Sequence, residues 1–558
     1  MKTLNLFLLI FFSYIACFLL FPGRKADFFR KCEDCKMPEK YRLLLLFLAF
    51  ALGLGIRLWC FGKIPVGVNQ DGAMAAVDGK ALADHATDRF GTHLPAHLYA
   101  WGYGQMSSLL SYLIAFWVKL FGLSTVTMRL PQLIASILGG VFFYLFASDV
   151  FGRRVGLIAA FIVAINPWHF VQSRWALDCN LLPHFLMCGI WLLRKGAEGK
   201  KIYLYLSMII FGLCMYCYGI ALYTVPLMLL LSCVLLIRQG YVTVKEAIAC
   251  ALIYLAVVWP FILTMAINFF GLETVELPFV TCQRFADSVR SSDILFFSNH
   301  FFSQLTDNIL SFLKVALLQR RDLPWNEIPL FGSMYIFSHP LVLLGLVRLI
   351  RLCKAGSLGS RLALILLLNG VWTGIATNGV NINRVNSVFY PIMLLCVLGI
   401  EAVFERSKAL SLSVILAYGI SAVLMVGTYF GSYSASLAHY FYDGFGEALL
   451  AAEDTGADVI CISDSVQCTD SKNVSEILTL FYDETDAEYF QGKTDNNKGK
   501  ELLSYKDRFK YIRIGESTAE MFSSKKSVFV VKNSEKKYFS GSGFEILSFG
   551  DYCAVIPI

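Results

Sequence analysis

One carboxylate stands out in the stretch Asn69-Gln70-Asp71-Gly72-Ala73-Met74. It follows the apolar run 43–60, where a chain leaving a membrane would place its first polar turn. A carboxylate there can take a proton from an acceptor hydroxyl or amine. The low dielectric nearby would raise its pKa towards a useful range. Asp71 could equally be the N-cap of a helix over 73–82, and position alone divides these two readings evenly.

Other residue groups invite the same question. Asp88 to Trp101 contains Arg89, His97, Tyr99 and Trp101. These suit a sugar-facing surface, and they suit an interfacial aromatic belt. The stretch Ser173-Arg174-Trp175-Ala176-Leu177-Asp178 puts a base and an acid four residues apart. They could pair on one helix face, or act at a site at the membrane edge. Arg129, Arg284, Arg290, Arg320, Arg321 and Arg384 all fall in segments assigned below to the outer face. Outer arginines run against the usual charge bias, so each needs a local reason. The two readings are a bidentate grip on an anionic phosphate and contact with lipid headgroups.

The elements that must position these groups follow from composition. Of 558 residues, 57% are hydrophobic and only 16% charged, with a mean hydropathy of +0.60. Soluble domains are about 45–50% apolar and about 25% charged, which excludes a soluble enzyme, a disordered chain and a collagen-like fibre. Apolar runs recur at 4–20, 43–60, 133–150, 155–170, up to 193, 202–218, 221–237, 247–270, 335–352, 362–376, 388–403 and 410–429. The expectation is a polytopic α-helical membrane protein of about 12–13 transmembrane helices. The run 4–20 lacks a small-residue cleavage site and reads as a retained helix. Bases cluster in alternate loops: at 24–42, Arg153-Arg154, Arg194-Lys195, Lys200-Lys201, Arg351 to Arg361, and Arg406 with Lys408. Those loops are assigned to the inside. The segment 105–123 cannot then be a full crossing, and is expected to lie at the interface or re-enter.

Residues 440–558 carry 13 Lys+Arg against 20 Asp+Glu, a net −7, while the rest of the chain is +14. This portion alternates β-type runs (459–463, 527–531, 544–549, 552–556) with helix-like stretches (446–454, 474–482). A small C-terminal extracytoplasmic α/β domain is expected. The division is 1–42, an N-terminal helix and basic cytoplasmic loop; 43–430, the transmembrane domain; and 440–558. The basic excess sits in short loops between spans and does not read as nucleic-acid binding. Cys32 and Cys35 form a CxxC without a second pair nearby, so no zinc site is assigned.

These residues resemble the GT-C membrane glycosyltransferases, most closely the protein O-mannosyltransferases and the aminoarabinose transferase of lipid A. The resemblance rests on Asn69-Gln70-Asp71-Gly72-Ala73-Met74, Thr127-Met128-Arg129-Leu130-Pro131, Ser173 to Asp178 and Asn383-Arg384, in that order, over about residues 43–430. The family often has Asp-Glu in the first outer loop, whereas Gly72 stands in place of the Glu here. That departure disfavours a metal pair and leaves a single base intact. The resemblance implies a sugar donor on a polyprenyl phosphate, delivered within the bilayer, and an extracytoplasmic acceptor (glycan, lipid or protein) that attacks with inversion. It implies Asp71 as the catalytic base, Arg174, Arg384 and Arg129 on the donor phosphate, and Asp178, His97, Tyr99, Trp101 and Arg89 on the substrate. No protein metal site is assigned, and a divalent cation is the one cofactor left open. The alternatives are a transporter or lipid-linked sugar flippase without covalent transfer, and a scaffold whose acidic C-terminal domain binds a partner. Against the first of these, ionisable residues gather in outer loops rather than mid-span.

Overall fold

The computed structural model describes residues 1–20, 38–100, 104–285, 294–320, 322–469, 471–489, 508–516, 518, 527–540 and 543–558. Cys32, Cys35, Trp101, Arg290 and Arg321 lie outside them. The chain begins with α1 (Lys2–Leu20) and α2 (Glu39–Leu58), then α3 (Gln70–His85), the hairpin β1 (Leu98–Ala100) and β2 (Gly104–Met106), and α4 (Leu109–Phe121). Next come α5 (Thr125–Phe151), α6 (Arg153–Ile165), the short α7 (Pro167–Gln172) and a 3₁₀ turn, Asp178–Leu181. α8 (Leu182–Glu198), α9 (Ile202–Cys214), α10 (Ala221–Arg238) and α11 (Val244–Phe270) lead to the hairpin β3 (Val275–Leu277) and β4 (Val280–Cys282) and to α12 (Phe301–Phe312). The bundle closes with α13 (His339–Lys354), α14 (Leu358–Ala376), α15 (Ile382–Val385), α16 (Phe389–Phe404), α17 (Lys408–Thr428) and α18 (Ser434–Leu437).

Among the described residues, nine helical segments are long and apolar enough to cross a membrane, carried by α1, α2, α5, α10, α11, α13, α14, α16 and α17. Shorter α6, α8 and α9 complete the bundle. The protein is a multi-pass membrane protein. α4 has 13 residues, about 20 Å at 1.5 Å per residue, short of the ~30 Å hydrocarbon core. It packs along α3 and exposes Phe116, Leu120 and Phe121.

Local chemistry sets the helix starts. Ser124 and Thr127 form a capping box on α5, as Thr243 and Glu246 do on α11. α16 is the central helix, buried along nearly its whole length. It lies so close to α13 that a side chain at Gly399 would meet the Leu341 carbonyl, and one at Gly345 the Leu395 carbonyl. Small residues are what permit such approach where lipid removes the usual hydrophobic drive between helices.

The bundle end carrying Arg153, Arg194 and Arg348 is laced with ion pairs. Arg154 meets Glu401 at 3.3 Å, Arg348 meets Glu405 at 2.8 Å, Arg194 meets Glu198 at 2.5 Å and Lys195 meets Asp149 at 2.8 Å. At the other end sits the small C-terminal domain. Its helices α19 (Phe445–Asp454) and α20 (Ser475–Tyr482) accompany a five-stranded sheet of β5 (Val459–Ser463), β6 (Phe509–Ile512), β7 (Ser527–Lys532), β8 (Phe544–Phe549) and β9 (Tyr552–Pro557). The order is β6-β5-β7-β9-β8, with β5 parallel to β6 and β7, and β9 antiparallel to β7 and β8. α20 packs on α3, so this domain rests on the helix that begins beside Asp71.

Candidate active site

The segment between α2 and α3 is held by two buried guanidinium groups. Arg174 Nη1 donates to the carbonyls of Ile56 (3.1 Å) and Arg57 (2.6 Å). Its Nη2 donates to those of Trp59 (2.9 Å), Cys60 (3.3 Å) and Ile64 (2.9 Å). The same guanidinium is boxed by the rings of Phe170, Tyr429 and Phe430, 5.0–5.7 Å from their centroids. Arg129 donates to the carbonyls of Gly62 (3.2 Å) and Gly67 (2.7 Å). The last carbonyls of a helix have no intrahelical donor. A cation with five fixed N–H groups satisfies several at once, at about 1.5–3 kcal/mol per charge-assisted bond. Both arginines, expected on the donor phosphate, are thus engaged with backbone and fully buried.

The loop then runs into α3. Val68 N–H donates to the Phe441 carbonyl at 2.7 Å. Gly67, at φ +70°, lies where a side chain would strike that same carbonyl. Asn69 is the N-cap of α3, accepting from the Asp71 N–H at 3.0 Å. The capping reading of Asp71 is therefore corrected: the cap is two residues earlier, and Asp71 is half-buried in the first helical turn. A carboxylate is favoured there by the helix dipole. Gly72 explains the missing Glu. A Cβ at this position would lie 3.3 Å from both the Ala176 carbonyl and the Met128 sulfur, a tight approach that a glycine relieves and a Glu side chain would crowd.

Opposite α3 lies the turn Asp178–Leu181. Asp178 accepts from the Cys179 N–H (2.7 Å), Asn386 Nδ2 donates to the Cys179 carbonyl (2.6 Å), and Gln132 Nε2 donates to the Asn180 carbonyl (3.1 Å). α15, which carries Arg384, packs against this turn. Asn381 caps α15, and Arg384 donates to the Asn378 carbonyl. Asp322 pins the segment from the other side, accepting from the Ile382 and Leu323 N–H groups. Burial pushes the Asp322 carboxyl up. The buried Cys179 thiol registers the charges around it: burial raises its pKa, Asp178 and Asp71 raise it further, and Arg384 opposes them. Asp71, Asp178 and Arg384 are therefore brought around one turn. Arg129 and Arg174 stand behind it.

The other expected substrate residues sit elsewhere. Arg89 is buried, bonded to Asp78 through Nη1 (2.5 Å) and through its own N–H (3.0 Å), and to the Tyr99 carbonyl (3.1 Å). His97 is buried edge-on to Phe261 and Phe285, and burial lowers its pKa to about 4. Tyr99 packs on Phe90 and Phe285. Together these side chains form the inside of the loop between α3 and α4 and present no aromatic belt to lipid. Asp88 accepts from the Phe90 and Thr92 N–H groups, both at 2.9 Å. Burial, then the Asp78 charge, push the Asp88 carboxyl up to about 7.

Beneath the centre runs a buried chain that sequence reasoning missed. Arg57 Nη2 lies 2.8 Å from His169 Nδ1, His169 Nε2 lies 2.9 Å from the Tyr390 hydroxyl, and that hydroxyl lies 3.0 Å from His184 Nδ1. It ties α2, α7, α16 and α8 together. The signal was a lone arginine at the end of an apolar helix and two histidines in apolar surroundings. For a metal, the described residues offer one group of three ligand atoms within 4.8 Å, from His85, Asp486 and Glu488. It lies at the far end of α3 from Asp71, and His85 already pairs with Asp486 at 2.7 Å.

Comparisons with known proteins bear on this arrangement. The family model for dolichyl-phosphate-mannose-protein mannosyltransferases matches residues 107–263, which include Arg129, Arg174 and Asp178. No curated protein matches in sequence. Two solved structures of ArnT from Cupriavidus metallidurans share the fold, each at 12% identity over 93% of this chain and 98% of that one. The TM-score is 0.54 for the apo form and 0.56 for the form bound to undecaprenyl phosphate. The chain thus has the fold of ArnT, and its segment 107–263 is similar to the dolichyl-phosphate-mannose-protein mannosyltransferases.

Proposed function

We propose that the protein moves a sugar from a polyprenyl-phosphate donor to an extracytoplasmic acceptor, with inversion at the anomeric carbon. The observation carrying this reading is the gathering of three segments at the turn 178–181: the first turn of α3 with Asp71, which abuts Ala176 through Gly72; Asp178 itself; and α15 with Arg384. Binding of undecaprenyl phosphate by a protein of the same fold supports the choice of donor. The bundle end with Arg153, Arg194 and Arg348 is the cytoplasmic one by the positive-inside rule, which sets the Asp71 end and the C-terminal domain outside.

In this mechanism Asp71 accepts the proton of the acceptor hydroxyl or amine as its oxygen or nitrogen bonds to the anomeric carbon. The bond from that carbon to the phosphate oxygen breaks, and the lipid phosphate leaves with an added negative charge. Arg384 stabilises that charge as it develops, and Asp178 orients the sugar. Arg129 and Arg174 act at one remove: they hold residues 56–67 and so aim α3. They also add charge. Neither they nor Arg57 forms an ion pair with a carboxylate among the described residues, which favours an anionic ligand at this end.

The test is to incubate the purified protein with a panel of polyprenyl-phosphate sugars and follow both free lipid phosphate and the sugar on an acceptor. Stoichiometric appearance of the two products supports the reading. Movement of intact donor across sealed vesicles, with no lipid phosphate released from any donor, would replace it with a flippase.

A further inference from the structure

A cleft opens beside Asp71, between the bundle and the C-terminal domain. It is lined by Gln70, Trp325, His439, Tyr440, Tyr442 and Gln467, with Cys468 and Thr469 at its edge. Four separate stretches of chain build it: the start of α3, the loop holding Trp325, the connection after α18, and the loop following β5. Gln70 precedes Asp71 and accepts from the Tyr442 hydroxyl at 3.3 Å. Trp325 lies three residues after Asp322, the residue that pins the Arg384 segment. Gln70 and Trp325 thus join the cleft, along the chain, to Asp71 and to the residue that pins the Arg384 segment.

Its chemistry is specific. The rings of Trp325 and Tyr440 sit 5.7 Å apart at 61°, and His439 and Tyr440 sit 5.6 Å apart. Two amides and a threonine hydroxyl supply donors and acceptors. None of the residues lining it carries a carboxylate, ammonium or guanidinium group. Aromatic faces pack against the C–H faces of a sugar ring, and amides bond its hydroxyls. The imidazole of His439 is already paired with Asp551 at 3.1 Å, so an ionic ligand would meet a counter-charge that is already engaged and would pay desolvation.

We propose that this cleft binds a neutral glycan, and that this glycan is the acceptor. Only the second half rests on the transferase reading. The bilayer side of the centre then serves the donor and the C-terminal domain serves the acceptor, so the two substrates reach Asp71 by different routes.

The experiment is saturation-transfer NMR on the full chain in nanodiscs. The probes are maltotriose, cellotriose and triacetylchitotriose (neutral), trigalacturonate (anionic) and chitotriose (cationic). The expected result is saturable binding of at least one neutral trisaccharide, about tenfold tighter than either charged one. That binding should be lost in Trp325→Ala and in Thr469→Trp, which blocks the cleft from an exposed position and spares the core. Failure of every neutral probe to bind, equal binding of a charged probe, or binding untouched by both variants would overturn the proposal. In the transfer assay, both variants should raise acceptor KM about tenfold with kcat retained. Turnover with unchanged acceptor KM would sink the acceptor assignment alone. Glycan binding by a chain that cleaves no donor would sink the transferase reading and leave the cleft standing.

Discussion

The two ends of the bundle satisfy arginine in opposite ways. At one end Arg154, Arg194 and Arg348 meet Glu401, Glu198 and Glu405. Each charge is cancelled locally, and the pairs are partly open to solvent. At the other, Arg57, Arg129 and Arg174 are buried and bonded to backbone carbonyls. Carbonyls satisfy hydrogen bonds without cancelling charge. At the first end these three arginines are matched charge for charge. The second is a rigid, positively charged frame around a turn that also holds two carboxylates and Arg384. The contrast separates arginines matched by carboxylates from arginines matched by backbone carbonyls.

The largest effects should come from the second end. If Arg384 meets the departing phosphate as proposed, Arg384→Ala is expected to lower kcat about 10²–10³-fold, with the protein still inserted and folded. Single-turnover release of lipid phosphate measures this, and a loss below about threefold would remove Arg384 from the reaction. Arg174→Ala strands five carbonyls and should destabilise by at least about 3 kcal/mol, seen as loss of folded protein in detergent. Arg174→Lys should recover little, since an ammonium cannot span residues 56 to 64. Folded, fully active Arg174→Ala would show that the frame is dispensable. Arg348→Gln, at the first end, takes a buried guanidinium out of its pair with Glu405 and should cost about 3 kcal/mol while leaving turnover of the folded protein unchanged. An equal loss of turnover there would erase the distinction between the ends.

The smallest effect concerns pH. Asp88 titrates near 7 in the folded chain and in the ordinary carboxylate range when unfolded. The folded protein therefore holds a proton between these values that the unfolded chain has released, and stability falls as pH rises through that window. Asp88→Asn keeps an oxygen for the Phe90 and Thr92 N–H groups and should flatten this slope in thermal-unfolding midpoints between pH 5 and 8. An unchanged slope would remove Asp88 as its source.

Much of this architecture was legible because membranes and sheets impose simple periods. The long apolar runs became helices, and the alternating runs near 459, 527, 544 and 552 became β5, β7, β8 and β9. The edge strand β6 was not seen: Phe509-Lys510-Tyr511-Ile512 is short and interrupted by a charge. Asp71 and Arg384 could be singled out by position, and the resemblance put them in one centre. What Arg129 and Arg174 bind could not be read, because their partners are carbonyls, which every residue carries. The Arg57, His169, Tyr390 and His184 chain was hidden for a similar reason: its members are far apart in sequence and individually ordinary. Asp322 looked like one charge in a basic loop, and only the fold brings it to the Ile382 N–H.

The most direct measurement concerns Asp71. Wild type and Asp71→Asn, both reconstituted in lipid, are compared for donor affinity and for the rate of polyprenyl phosphate release with acceptor present. Asp71 as the base requires a rate about 10²–10⁴-fold lower in the variant, with donor affinity kept within about threefold of wild type. Release at the wild-type rate by Asp71→Asn would contradict the assignment of the base outright.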